Sequence, residues 1–302
     1  MPATNPVNRP DTPAGYLSMN GLDMYYEIHG GGSPLVLLHG AMGTIDSCFA
    51  GLLPALAAAR QVIAVELQGH GHTADLDRPL SYQQMADDTA ALLRALGIEA
   101  ADFAGFSMGG GVALQMAMQQ PGIVRRLVFA GGTSYRRDGL YPEMLAEPGP
   151  TADDLKDSVW HQAYLRVAPD PGAWPALVAK VNELDRTFAG WRPEDIRAVR
   201  TPTLLIIGDS DIVRPEHTVE MFRLLGGGVI GDIAGLPAAQ LAVLPGTSHI
   251  GLLDRVDWLQ SMIFEFLGPP EHGQILAEEE FGRRNRWRGP HGADVSRRTD
   301  AS

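Results

Sequence analysis

Six short, unbroken apolar runs limit what this chain can fold into more than any other feature: PLVLLHG, QVIAVEL, AADFAGF, RRLVFAGG, TLLIIGD and LAVLPG. A strand with one wet face alternates apolar and polar residues. A run that is apolar at every position suits a strand covered on both faces. Between the runs lie segments with helical periodicity. One is SYQQMADDTAALLRALG, where Ser81 and Gln84 have the spacing of a capping box and Gly97 supplies a stop. Strands alternating with helices predict a mostly parallel twisted sheet flanked by helices, an α/β fold. Ahead of the first run, YLSMNGLDMYYEIHG places Asn20-Gly21 between two alternating segments, which predicts a hairpin and an antiparallel start to the sheet.

The alternation lapses between residues 133 and 200. That stretch holds three of the five tryptophans, Trp160, Trp174 and Trp191, with Tyr135, Tyr141, Tyr164 and Phe188. Structureless loops of this length are uncommon inside compact domains, so a helical cap insertion is expected over 133–200, dividing a core formed by 16–132 and 201–268. The proline-rich residues 1–15 and the charged residues 269–302 are expected to be flexible. With 302 residues, 45% of them hydrophobic, the chain can bury one substantial core.

Charge and composition narrow the function. A formal charge of −12 opposes a nucleic-acid partner, which needs clustered Lys and Arg. The single cysteine, Cys48, rules out an intramolecular disulfide framework and fits a reducing, cytoplasmic setting. No apolar run approaches the roughly 20 residues that span a bilayer, and MPATNPVNRPDTPAG lacks the apolar core of a secretory signal, so no membrane partner is expected. GGGVIG, residues 226–231, matches a dinucleotide fingerprint in letters alone, because it follows a helical segment and does not join a strand to a helix. No histidine pair has metal-ligand spacing of the H-E-x-x-H kind, and neither metal nor cofactor is called for.

Chemistry points elsewhere. Ser107 is the centre of Gly105-Phe106-Ser107-Met108-Gly109, a G-x-S-x-G match between an apolar strand and a helical run. Small neighbours permit a sharp turn there, and the following helix directs its positive end at the serine oxygen. A serine needs a base in reach and a carboxylate to orient that base. His249, in LPGTSHIG, follows an apolar run. Asp209 and Asp211, in LLIIGDSDIVRP, also follow one and compete for the acid's place.

With these residues in the order Ser, Asp, His, residues 16–268 resemble the α/β-hydrolase superfamily, and in particular its small-molecule esterases, enol-lactonases and cofactor-free haloperoxidases. The resemblance implies an acid at Asp211, since Gly208 and Pro215 complete the family's G-x-x-D-x-x-x-P pattern. It also implies that LLHGAMG is an oxyanion loop, with the backbone N–H groups of Ala41 and Met108 as donors. VELQGHGHT resembles the family's D-x-R-G-x-G-x-S turn, with Glu66, Gln68 and Thr73 as departures. A serine at 107 opposes the dehalogenase and epoxide hydrolase branches, which resemble this fold but carry a carboxylate there. Substrate-contact candidates are His39, Trp160, Tyr164 and Trp191; His39 reads as a brace for its loop in preference to a proton carrier, and the aromatic residues can equally form the insertion's own core.

The function that follows is hydrolysis of a small, apolar or aromatic ester or lactone by Ser107, Asp211 and His249. Runners-up are carbon–carbon bond hydrolysis or perhydrolysis with the same residues, and a ligand receptor on the same fold. Oligomeric state is not legible.

Overall fold

The computed structural model describes residues 14–132, 134–145 and 149–268. The expected flexible tail at 269–302 lies outside the described residues, as does the expected flexible start, apart from Ala14 and Gly15, which belong to the first strand.

Among the described residues eight strands form one sheet: β1 (Ala14–Met19), β2 (Leu22–His29), β3 (Pro34–Leu38), β4 (Gln61–Val65), β5 (Ala101–Phe106), β6 (Val124–Ala130), β7 (Thr203–Ser210) and β8 (Ala239–Ser248). Their order is β1-β2-β4-β3-β5-β6-β7-β8. β2 runs antiparallel to both its neighbours, and every other pairing is parallel. The β1–β2 hairpin turns on Asn20 and Gly21, with φ of 51° and 80°. Positive values at both central residues are what a type I′ turn requires, and Asn-Gly tolerates them.

Ten helices flank or extend this sheet among the described residues: α1 (Ile45–Phe49), α2 (Leu53–Ala59), α3 (Tyr82–Ala95), α4 (Met108–Gln119), α5 (Val159–Val167), α6 (Trp174–Thr187), α7 (Pro193–Ala198), α8 (Pro215–Leu224), α9 (Gly231–Ala234) and α10 (Val256–Leu267). The period-2 geometry of a strand sorts the apolar runs onto two faces. Val36, Leu38, Ile63 and Val65 join the core beneath α3 and α4, whereas Leu35, Leu37, Val62 and Ala64 join the core beneath α1, α2 and α10. Ser81 caps α3 by accepting from the Gln84 N–H, but the Gln84 side chain donates to Asp88 and does not return to the cap, so half of the expected box forms. Gly97 ends α3 at φ 72°.

A buried ion pair ties the last helix to the sheet. Arg60 donates to Asp102 at 2.7 Å and to the carbonyls of Leu267 and Gly268 at 2.9 and 2.8 Å. Between β6 and β7 the described chain contains α5, α6, α7 and three short 3₁₀ turns, with only an isolated bridge from Leu140 to Val213. Residues 226–231 carry the chain out of α8 into α9, a helix-to-helix connection with no strand leading into it.

Candidate active site

β5 ends at Phe106 and α4 begins at Met108, leaving Ser107 alone at the elbow with φ 53° and ψ −120°. A non-glycine residue in this region is strained, and the surroundings must hold it there. The glycines make that possible. A Cβ on Gly105 would lie 2.4 Å from the Gly110 nitrogen, and one on Gly109 would lie 2.1 Å from the Leu38 carbonyl oxygen. Hydrogen in both places lets α4 start hard against β3 and β5.

His249 follows the last residue of β8. Its Nε2 is 3.1 Å from Ser107 Oγ, and its Nδ1 is 3.0 Å from Asp211 Oδ1. A carboxylate can only accept, so Nδ1 carries the proton and Nε2 is left to accept from the serine hydroxyl. The ring stacks on Phe106 at 5.0 Å. Gly131 and Gly132, with φ of 68° and 62°, pass beside it, and a Cβ on Gly132 would approach His249 Cε1 to 3.1 Å. Asp211 Oδ1 also accepts from the Gly132 N–H at 3.2 Å and the Ile212 N–H at 2.7 Å.

The two competing acids therefore separate. Asp209 reaches neither His249 nor Ser107; it accepts from the Gly246 and Thr247 N–H groups at 2.9 and 3.1 Å and so fixes the turn that delivers His249. Those two backbone donors hold its carboxyl below the usual range.

Ser107, Ala41, Met108 and His249 border one cavity of about 430 Å³. Among the described residues the Ala41 N–H, in the loop after β3, makes no backbone hydrogen bond, and the Met108 N–H is one of the first-turn donors that α4 itself leaves unpaired. Both stand beside the serine, one after β3 and one at the start of α4, where the helix dipole adds to their pull on negative charge.

His39, a substrate-contact candidate, does not border the cavity. It is fully buried, Nδ1 donates to the Gly40 carbonyl at 2.8 Å, and Nε2 accepts from the Leu67 N–H at 3.0 Å. Burial pushes the imidazole down to about 4, so it stays neutral and clamps the Ala41 loop to the turn after β4. Glu66, the departure from the usual Asp, supports the same region: Oε1 accepts from the Ile45 N–H at 3.0 Å and Oε2 from the His72 ring at 2.8 Å. His70 packs beside His39 at 4.9 Å between ring centres and is likewise pushed down to about 4 by burial.

Of the insertion's aromatic candidates, Trp160 and Trp191 border the cavity, and Trp191 is oriented by an indole N–H bond to Gln115. Tyr164 does not. It is buried against Trp174 at 5.3 Å, and its hydroxyl donates to the Asp170 carbonyl at 3.3 Å, so it belongs to the insertion's own packing. Among the polar wall residues that sequence reasoning missed are Tyr82 and Asp185. Tyr82 reads in the sequence as the first residue of a helix, and Asp185 as part of a solvated helix face.

Among the described residues no group of three His, Cys, Asp or Glu side chains could hold a metal ion, and no helix is long and apolar enough to cross a membrane.

A family model described as the alpha/beta hydrolase family matches residues 35–259. Among curated proteins, the chain is 28% identical over 264 residues to a putative carbamate hydrolase, RutD, of Azorhizobium caulinodans, covering 82% of this chain and 95% of that protein. Among solved structures, it resembles a meta-cleavage product hydrolase from Pseudomonas fluorescens IP01 with a TM-score of 0.66 and 22% identity, over 82% of this chain and 94% of that one. It also resembles an enol-lactonase from Burkholderia xenovorans LB400 with a TM-score of 0.62 and 21% identity, over 83% and 99%. At those identities the structural likeness is one of fold.

Proposed function

The chain belongs to the alpha/beta hydrolase family, and we propose that within it the chain is a serine hydrolase that cleaves a small, apolar or aromatic carboxylic ester or lactone through an acyl-enzyme. The observation that carries this reading is the hydrogen-bonded chain Ser107, His249, Asp211 opening on a cavity that Ala41 and Met108 also border.

In the first half-reaction Ser107 Oγ bonds to the carbonyl carbon while its proton passes to His249 Nε2. Asp211 keeps the ring in the required tautomer and offsets the imidazolium charge. The carbonyl oxygen becomes an oxyanion between the Ala41 and Met108 N–H groups, whose dipoles are set before charge develops. Collapse breaks the bond to the leaving alkoxide, which takes the proton from His249. Water then repeats the sequence on the acyl-serine, giving up its proton to His249 and releasing the acid. A volume of about 430 Å³ walled by Trp160, Phe188 and Trp191 favours a small substrate with apolar or aromatic character.

The likeness to a carbamate hydrolase supports a second reading, in which the same attack falls on a carbamate carbonyl. A panel of matched aryl esters, lactones and aryl carbamates decides between them by kcat/KM. Turnover of the esters or lactones is expected, with Ser107→Ala and His249→Ala each losing on the order of 10⁴ or more in kcat. A folded protein that binds panel members and turns over none would favour a receptor. Undiminished turnover by Ser107→Ala would end the serine reading.

A further inference from the structure

The wall of the cavity is not uniformly apolar. α6 turns Val181 and Asp185, four residues apart on one helix face, towards it. Tyr82, the first residue of α3, borders the same space, its ring packed on Phe188 and Trp191 at 4.7 and 5.2 Å. The Asp185 carboxyl is open to solvent yet crowded by protein. Burial pushes it up to about 6, against the opposing pull of the Arg137 charge. Burial, and then the charge of Asp185, holds the Tyr82 hydroxyl further from ionisation, and both residues border the cavity.

Neither group has a hydrogen-bond partner among the described residues. The polar groups around them are already engaged: Arg136 lies over the Tyr135 ring and against Asp138, Arg186 pairs with Glu183, Asn182 donates to the Pro150 carbonyl, and Arg137 has an interaction of its own. A substrate that fills the cavity takes water away from Asp185 and Tyr82. Filling it with apolar atoms alone would leave both unsatisfied, at a cost that a matching donor removes.

We propose that Asp185 and Tyr82 form a polar subsite that selects substrates carrying a hydrogen-bond donor, a hydroxyl, N–H or ammonium group, on the part of the molecule away from the scissile carbonyl. Asp185 accepts from that donor, and the Tyr82 hydroxyl supplies a second partner to the same group. An anionic substituent is disfavoured, because it would meet the carboxylate of Asp185. The identity of the bond cleaved rests on the serine-hydrolase reading; binding at the subsite does not.

The test uses aryl esters of matched acyl length ending in methyl, hydroxyl, ammonium or carboxylate. Calorimetric affinity for the full-length Ser107→Ala protein reads the subsite without turnover. The hydroxyl and ammonium esters are expected to bind roughly tenfold tighter than the methyl ester, and the carboxylate ester more weakly than all three. In the Ser107→Ala background, Asp185→Leu brings the donor-to-methyl ratio to one, while Asp185→Asn keeps the hydroxyl preference and loses the ammonium preference. Should Asp185→Leu fail to fold by its thermal transition, the Asn variant alone decides through that split. A donor-to-methyl ratio of one in Ser107→Ala, or a tenfold ratio that survives Asp185→Leu, overturns the proposal. Fluorophosphonate labelling of Ser107 in the unsubstituted protein is read separately. A labelled serine with a ratio of one sinks the subsite alone, and an unlabelled serine with a tenfold ratio sinks the hydrolase reading alone.

Discussion

Adding one methyl group at Gly109 should disable the site without touching any side chain in it. The new Cβ would lie 2.1 Å from the Leu38 oxygen, 2.4 Å from the Leu38 carbonyl carbon and 2.6 Å from the His39 oxygen. All three are backbone atoms of β3 and its exit, so none can rotate aside. Ordinary contact begins near 3.4 Å, so the start of α4 must withdraw from β3 by about 1 Å. Overpacking of this kind costs about 1–3 kcal/mol in stability. The larger effect falls on catalysis, since the Met108 N–H rides on α4 while the Ala41 N–H rides on the loop after β3, and the withdrawal pulls the two donors apart. A misplacement near 1 Å costs about 10²-fold in rate. Urea unfolding and kcat/KM on an aryl ester measure the two effects, with Gly97→Ala as control. Gly97 has φ 72° and nothing within 4 Å of a Cβ, so that variant is expected to lose about 1–2 kcal/mol and no activity. A folded Gly109→Ala protein with unchanged kcat/KM would refute the reasoning.

Asp211→Asn should lower kcat by about 10⁴ because the amide no longer fixes the His249 tautomer, whereas Asp209→Asn, which loses one of two turn bonds without touching His249, should cost far less; equal losses in the two variants would contradict their assignment. Acid should destabilise the fold through His39 and His70. Both are held neutral, with values of about 4 against 6.5 unfolded, so between these pH values the unfolded chain binds more protons. Their contribution is complete above pH 6.5 and lost as pH falls towards 4, at about 1.4 kcal/mol per unit for each group. His70→Phe should flatten the pH dependence of urea-derived stability across that window, and an equal slope in both proteins would count against it. Asp102→Leu should cost about 3–5 kcal/mol in urea unfolding by leaving the Arg60 charge buried and unpaired, with a loss below 1 kcal/mol as the contrary result.

Much of this architecture was legible because the informative residues act through backbone geometry. Asn20-Gly21 can take positive φ twice, so its turn was readable from two letters. Gly105 and Gly109 exclude side chains from a helix–strand contact, so the serine between them was readable from five. Asp209 and Asp211 could not be separated by spacing alone. Which one meets His249 is set by the turn at Gly246 and Thr247, on another strand. Side-chain roles within the insertion were the least legible. Trp160 and Tyr164 are four apart on α5, yet one borders the cavity and the other packs on Trp174, a choice made by the neighbouring helix and not by local period. His39 was equally ambiguous until its two nitrogens could be followed to Gly40 and Leu67. Asp185 gave no signal, because a carboxylate on a helix face looks solvated in any linear reading.

The most direct test is to catch the acyl group on its carrier. A hindered aryl ester that deacylates slowly, acid-quenched during turnover and digested for tandem mass spectrometry, should show the acyl mass on Ser107 and on no other residue, and no adduct in Ser107→Ala. Sustained turnover with Ser107 unmodified, or with the acyl group carried elsewhere, would contradict nucleophilic catalysis at this serine.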